Sequence, residues 1–473
     1  MFDINKPAFN KIASLYTQWQ YNNEIARMKQ AEYRDVFYSG DKAELEVVMK
    51  KIMKEKYNMR DDEINTTHIL FNRDLRKFIS KKNTFYTEPP ERVVYVGDTV
   101  NEKLTAEIQE MYKKNYADLA LKNAVDLALI HNSCEVRIRV LENRWGNINL
   151  DFRPYSPAYY IAIPETNNYL IAEAIAIKEM WGGVYQWTVE SAENIFHIGL
   201  DGKFLSNDVE NPDKVLRYAN LRLHIGADYY SGINADDIIN QVEASNMLLT
   251  SNVEAAIMKG FGILLATNIG DKNEVTISPK SIIKIEGVRQ EDIAPNITEV
   301  AQSADLAGVS DLEEKLRIRT ALNHNLPRSS VGIAAGGAKS GYQEWLELLP
   351  LIEARQALLP ALQKLEQDVF EIIKRISKRN RAVKINIPDN AKLNVNFKEL
   401  SVKSTPVEEL QLYKLKEESY LDNPVAYLKR QDPDLTTEQA EEKILQNKKR
   451  IDEIKKKAGI FDIFKKEKGN LLQ

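Results

Sequence analysis

The sequence predicts an α+β chain, mainly helical, and three patterns carry that expectation. Apolar residues recur at steps of three and four at Ile238, Ile239, Val242, Met247, Leu248 and Val253. They do so again at Trp345, Leu348, Ile352, Leu359, Leu362, Leu365, Val369, Ile372 and Ile376, the spacing that lays one stripe along a helix. The period shifts to two at Val136, Ile138 and Val140, at Ile263 and Leu265, and at Val383, Ile385 and Ile387, as in half-buried strands. The stretch Pro327 to Gly341 reads PRSSVGIAAGGAKSG, small side chains with only Arg328 and Lys339 charged. Such a loop cannot build a core of its own and is expected to be exposed, mounted on the long helix that follows it.

Composition narrows the function classes. With 473 residues, 43% of them hydrophobic, the chain has room for about two to four domains with a real core. Lys+Arg 65 against Asp+Glu 69 gives a net charge of −4, which argues against gripping nucleic acid over the whole surface and leaves room for a local basic strip. Cys134 is the single cysteine, which excludes an internal disulfide framework and a cysteine-based zinc site and points to a reducing compartment. The start MFDINKPAF carries no apolar signal core, and no apolar run reaches the roughly 18 residues of a membrane span. A soluble protein, not secreted by that route, is expected.

Taken in order, Phe9 to Tyr57 reads as two amphipathic helices broken at Ser39-Gly40-Asp41. A third helix near Asn72 to Ser80 runs toward Thr87-Glu88-Pro89-Pro90, where prolines enforce extended chain. Glu102 to Leu129 is helical, and Glu135 to Phe152 alternates around a turn at Asn143 to Gly146, a hairpin. Tyr155 to Phe196, rich in Tyr, Ile, Val and Trp, predicts a β-rich layer whose aromatics are core in preference to base-stacking platforms. Asn207 to Gly232 is expected to be a polar connection. Asn234 then caps a helix to about Lys259, with Asp236 and Asp237 at the positive end of its dipole. After Gly260 a small β-rich insert precedes a second helix, Ser310 to Leu326, opened by the capping box Ser310-Asp311-Leu312-Glu313. The long helix contains Pro350 and Pro360, where bends are expected. Val383 to Phe397 reads as a hairpin around Pro388-Asp389-Asn390. Helices near Val407 to Leu421 and Thr437 to Lys457 follow, the second capped by Thr436 or Thr437 with Glu441, before a frayed tail.

Candidate chemistry is sparse. Gly332 to Ser340, GIAAGGAKS, approaches a phosphate-binding loop, but Ala338 separates Gly337 from Lys339 and a helix, not a strand, precedes it. A nucleotide-binding enzyme using 332–340 is therefore the alternative reading, with a helical cytosolic scaffold as a third. His68, His131, His197, His224 and His324 are scattered without an i, i+4 pair, so no metal site is expected. No catalytic constellation and no cofactor is expected either.

The order helix, small β insert, helix, proline-ended glycine loop, long kinked helix, hairpin and helical C-terminus is similar to that of the portal proteins of tailed double-stranded DNA bacteriophages. Three stretches carry the likeness: Gly336 to Gly341 leading into Tyr342, the run Tyr420-Leu421-Asp422-Asn423-Pro424 with Asp432-Pro433-Asp434 and Glu438 to Ile444, and Asn72 to Arg92. The resemblance implies a wing (1–233), a first stem helix (234–260), a clip (261–308), a second stem helix (309–326), a tunnel loop (327–343), a long kinked helix with a wing hairpin (344–404), a crown (405–460) and a tail (461–473). The C-terminal region looks short for a large crown. A ring of usually about twelve copies around an axial channel is implied. It would sit in the virion at one capsid vertex after assembly in the host cytoplasm. Its partners would be the terminase large subunit, then a head-tail adaptor, and the major capsid or scaffolding protein, with double-stranded DNA passing through and no membrane involved. Arg328, Ser329, Ser330, Gly332, Gly336, Gly337, Lys339, Ser340 and Gly341 would line the channel, and Lys272, Lys280 and Lys284 would face the clip's partners.

Overall fold

The computed structural model describes residues 10–12 and 14, 21–142, 148–261 save 166, 182, 206–208, 227 and 231, then 263–267, 282–285, 296–300, 306–331, 341–380, 383, 385–400, 425, 428 and 436–450. Two units divide the chain. One holds 1–337 and 347–400, the other 338–346 and 401–473.

In the first unit, α1 (Tyr21–Ser39) and α2 (Lys42–Tyr57) part at the expected break. Gly40 takes φ +64°, a left-handed turn that suits glycine, and the Asp41 carboxylate accepts from the Ala43 and Glu44 amides to start α2. Short α3 (Asp61–Thr66) leads to α4 (Asp74–Lys82), which buries Leu75, Phe78 and Ile79. After the prolines come β1 (Glu91–Val96) and β2 (Thr99–Val100). The helical stretch from Glu102 is two helices, α5 (Glu102–Lys114) and α6 (Ala117–His131), parted by Tyr116 at φ +53°.

Strands β3 (Ser133–Glu142) and β4 (Ile148–Tyr155) form the expected hairpin. The β-rich layer is an antiparallel meander of β5 (Tyr160–Glu165), β6 (Asn168–Trp181), β7 (Val184–Ser191), β8 (Asn194–Gly199) and β9 (Val209–Glu210). Tyr160 and Trp187 are buried there, as core aromatics should be. The segment expected to be only a polar connection contains β10 (Tyr218–Arg222), paired along β3 from Tyr218 opposite Arg137 to Arg222 opposite Ser133.

Next, α7 (Asp236–Phe261), 26 residues long, enters β11 (Ile263–Thr267), which pairs in parallel with β12 (Ile282–Ile285) and antiparallel with β13 (Asn296–Val300). The chain returns in α8 (Leu306–Asn323). This helix begins a turn before the anticipated capping box, so Ser310 lies inside it and its hydroxyl meets Asn252 of α7. Ser245 bonds Glu313 while Asn252 bonds near Leu306 and Ser310, so the two helices run antiparallel. The 39-residue α9 (Gly341–Arg379) is continuous through Pro350 and Pro360. Both prolines are exposed, where water can take the hydrogen bonds they remove.

The expected hairpin at 383–397 does not form. Among the described residues of that segment only β14 (Ala391–Asn396) is a strand, and it pairs antiparallel with β1, Glu91 opposite Asn396 through Val96 opposite Ala391. Its alternation is real, with Ala391, Leu393 and Val395 buried, but its partner lies about 300 residues earlier. The main core gathers α2, α4, α5, α6, β3, β14 and the middle of α9, with Leu362, Leu365, Val369, Ile373 and Ile376 fully buried.

In the second unit, helix 437–450 starts on a reciprocal capping box: the Gln439 amide donates to Thr436 Oγ1 and the Thr436 amide to Gln439 Oε1. Gln439, not Glu441, supplies the partner. The first C-terminal helix, near 407–421, lies outside the described residues, as do the tail and most of the insert's loops.

Candidate functional site

The glycine loop is held at its root by a complete helix stop. At the end of α8, Asn325 adopts φ +58°. Its amide bonds Leu322 O at 3.1 Å, and the Leu326 amide reaches back to Ala321 O at 2.9 Å. These are the paired bonds of a Schellman motif, with asparagine in the left-handed position that glycine usually fills. Leu326 and Ala321, both buried, close the hydrophobic part of the cap. Pro327 follows, where it cannot continue the helix.

Arg328–Val331 then forms a single 3₁₀ turn, with the amide and hydroxyl of Ser330 both donating to Pro327 O. Arg328 and Ser329 are exposed. Gly332, Gly336, Gly337, Lys339 and Ser340 lie outside the described residues, and Gly341 is the first residue of α9. Of the lysines expected to meet partners, Lys272 and Lys280 also lie outside, and Lys284 falls in β12.

Beneath the root, α7 and α8 are tied to the rest of the unit by charge. At the start of α7, Asn234 Oδ1 accepts from the Asp236 amide, and Asp236 receives a bidentate Arg34 at 2.6 and 2.9 Å. The bond from Arg34 holds the Asp236 carboxyl below its ordinary value. Asp237 meets His324 Nε2 at 2.7 Å, and Lys82 lies 3.4 Å from His324 Nδ1. Burial, then Lys82, pushes the His324 pKa down, and burial also lowers that of Lys82. A neutral imidazole suits both contacts, donating from Nε2 to Asp237 and accepting at Nδ1 from Lys82. Farther along α8, Arg317 binds Asp74 at 2.8 Å and Glu313 at 2.5 Å.

Chain 68–72 forms a second tie. The amides of His68, Leu70 and Asn72 donate in turn to Glu254, Thr250 and Asn246. Two residues of extended chain advance about 6.6 Å and four residues of helix about 6 Å. Alternate amides of the strand-like segment therefore match every fourth side chain of α7. That spacing explains why α7 buries Ser245, Asn246 and Thr250 in a stripe where apolar residues would be expected.

Sequence reasoning missed three charged or polar clusters, because each joins residues far apart in the chain. Arg92 binds Glu366 and Asp118, each at 2.6 Å, and stacks on Tyr112, with Tyr86 donating to the same Glu366. Glu135 is buried in β3 and accepts from Tyr229 and Asn220. His131, Asp35 and Ser156 converge, but not as a hydrolase triad. Asp35 and Ser156 share the same nitrogen, Nε2, and the Ser156 hydroxyl donates to the Asp35 carboxylate at 2.6 Å, so the serine–imidazole–carboxylate relay order of a triad is not built. Cys134 is buried, and burial pushes its thiol up, away from a nucleophilic thiolate. Among the described residues no group of three or more His, Cys, Asp and Glu is placed to hold a metal ion, and no helix is long and apolar enough to cross a membrane.

What the described residues offer is an antiparallel helix pair whose returning member leads into a 3₁₀ turn at Arg328–Val331, and a 39-residue helix that starts at Gly341. No protein-family model and no curated protein matches the chain.

Proposed function

We propose that the chain is the subunit of a phage portal ring, the channel at one capsid vertex through which double-stranded DNA is packaged, retained and ejected. The single observation that carries the reading is the outgoing and returning helix pair. Helices α7 and α8 run antiparallel, β11 and β13 pair antiparallel between them from Ile263 opposite Val300 to Thr267 opposite Asn296, and the returning helix leads into the 3₁₀ turn Arg328–Val331, which the glycine-rich stretch follows in sequence. In this reading α7 and α8 are the stem, the small sheet between them is the clip, and the loop lines the channel.

The physics suits a conduit. DNA that must move cannot be held tightly, since every neutralised phosphate adds affinity and a symmetric ring multiplies each contact. A loop with two cations among small side chains touches the backbone without reading sequence. The motor would be a separate terminase, the later partner a head-tail adaptor, and the anchor the capsid or scaffolding protein.

The test is native mass together with an image down the symmetry axis. A closed cyclic ring with a central hole is expected; monomers or a solid closed dimer at working concentration overturn the reading. Equilibrium dialysis with ATP separates the nucleotide alternative. No binding is expected, whereas binding that Lys339→Ala abolishes would make the loop a nucleotide site.

A further inference from the structure

The strongest unassigned feature is α4. Its buried arc carries Leu75, Phe78 and Ile79. On the opposite arc Arg73, Arg76, Lys77, Ser80 and Lys81 are all exposed, spaced i, i+3, i+4, i+7 and i+8 so that they share one face. The helix has one carboxylate, Asp74, which is 2% exposed and already engaged by Arg317 and Lys77. Among the described residues Arg73, Arg76 and Lys81 have no ion-pair partner. A chain of net charge −4 thus carries an uncompensated basic face.

The helix itself does not account for it. Lys81 sits in the last turn, where the dipole favours cations. Arg73 and Arg76 sit at the opposite end, Arg73 in the cap position with no side-chain cap bond, where the dipole disfavours them. The 3₁₀ turn bearing exposed Arg328 packs against this same helix. Lys82 points the other way, to His324.

We propose that this face of α4 is a second contact for the phosphate backbone of duplex DNA. From Arg73 to Lys81 the face spans about 12 Å, enough to meet about three successive phosphates of one strand. The contact is to phosphate, the Arg73 and Arg76 guanidiniums meeting phosphate oxygens through their planar fork and Lys81 as a point charge. The conduit reading enters only through the choice of duplex DNA as probe; ring assembly is scored separately by imaging, so either idea can fail alone.

The experiment measures binding of a fluorescent 30-base-pair duplex to the full chain between 50 and 300 mM salt. The triple variant Arg73→Gln, Arg76→Gln, Lys81→Gln is expected to lose at least about tenfold in affinity at 100 mM salt, with the slope of log K against log salt shallower by up to about three. The single variant Arg76→Gln should lower that slope by about one, and it guards against misfolding of the triple. The control Lys51→Gln, Lys54→Gln, Arg60→Gln removes three exposed cations that already have carboxylate partners. Equal affinity and slope for the triple variant and the wild type overturns the proposal. So does an equal loss in the control, which would mean bulk charge alone, or binding to phosphatidylserine vesicles without binding to the duplex.

Discussion

Glu135 shows how one side chain sets a pH dependence. It is 1% exposed, and burial pushes its pKa from an ordinary 4.5 up to about 7, against the bonds from Tyr229 and Asn220 and the nearby Arg222, which pull it down. The folded state therefore holds a proton that the unfolded chain releases between about pH 4.5 and 7. Stability from this group is full below pH 4.5 and is lost as pH rises through 7, by roughly 3 kcal/mol in all. Glu135→Gln keeps an acceptor for Tyr229 and cannot titrate. Urea melts at pH 5 and pH 8 should show the wild type losing that much more stability than the variant over the interval. A different residue-scale cost attaches to Glu366, which is fully buried and accepts from Arg92 and Tyr86. Glu366→Ala leaves a buried guanidinium with only Asp118 and should cost about 3–5 kcal/mol by the same melts. Neither role was legible in the sequence. Glu366 sits among solvated-looking helix charges, and what commits it is a contact with Arg92, 274 positions away.

At the scale of elements, the tie between chain 68–72 and α7 rests on unpaired amides finding side chains. Thr250 is 2% exposed, and its hydroxyl takes the Leu70 amide at 3.0 Å. Thr250→Val preserves shape while orphaning that amide, so thermal melts should show a loss of about 1–3 kcal/mol. Helices were the legible part of this fold, because their stripes and stops are local: Gly40, Asp41, Asn234, Ile238, Ile239 and Val242 of α7 and the steps of α9 from Leu362 to Ile376 act where they were read, whereas Trp345 is exposed and the far part of α7 buries polar residues. Strand partners were not. The alternation of Leu393 and Val395 identifies a strand from sequence, yet its partner, β1, is remote, and Pro388-Asp389-Asn390 imitated a hairpin turn. β10, sequence YANLR, was hidden because its mixed residues pair with β3 where local polarity suggests a connection. The start of α8 was misplaced because Ser310 has the spacing of a cap but bonds across to α7. As for the candidate site, its root was legible through Pro327, while the Asn325 cap that stops the helix was not, since asparagine in a left-handed turn carries no distinctive spacing.

For the whole molecule, the portal reading separates what builds a ring from what lines it. Assembly needs a large surface with a core-like centre, which a six-residue segment of glycine and alanine with the single larger side chain of Ile333 cannot supply. The described core, with its buried Arg92–Glu366 pair and the apolar middle of α9, is held by contacts among residues outside 332–337. The loop's root is likewise self-contained, since the Schellman cap and the 3₁₀ turn close by Val331. Deleting 332–337 should therefore leave thermal stability within about 0.5 kcal/mol and ring number unchanged, while packaged or retained DNA falls sharply. End-on images count the subunits, and nuclease-protected DNA per particle reports the conduit. Rings lost on deletion would make the segment structural, and unchanged DNA content would remove it from the channel. Adding the α4 triple variant to the deletion separates the two contacts. If both touch the passing backbone, the salt dependence of DNA retention weakens further than with either change alone, because each removes its own phosphates.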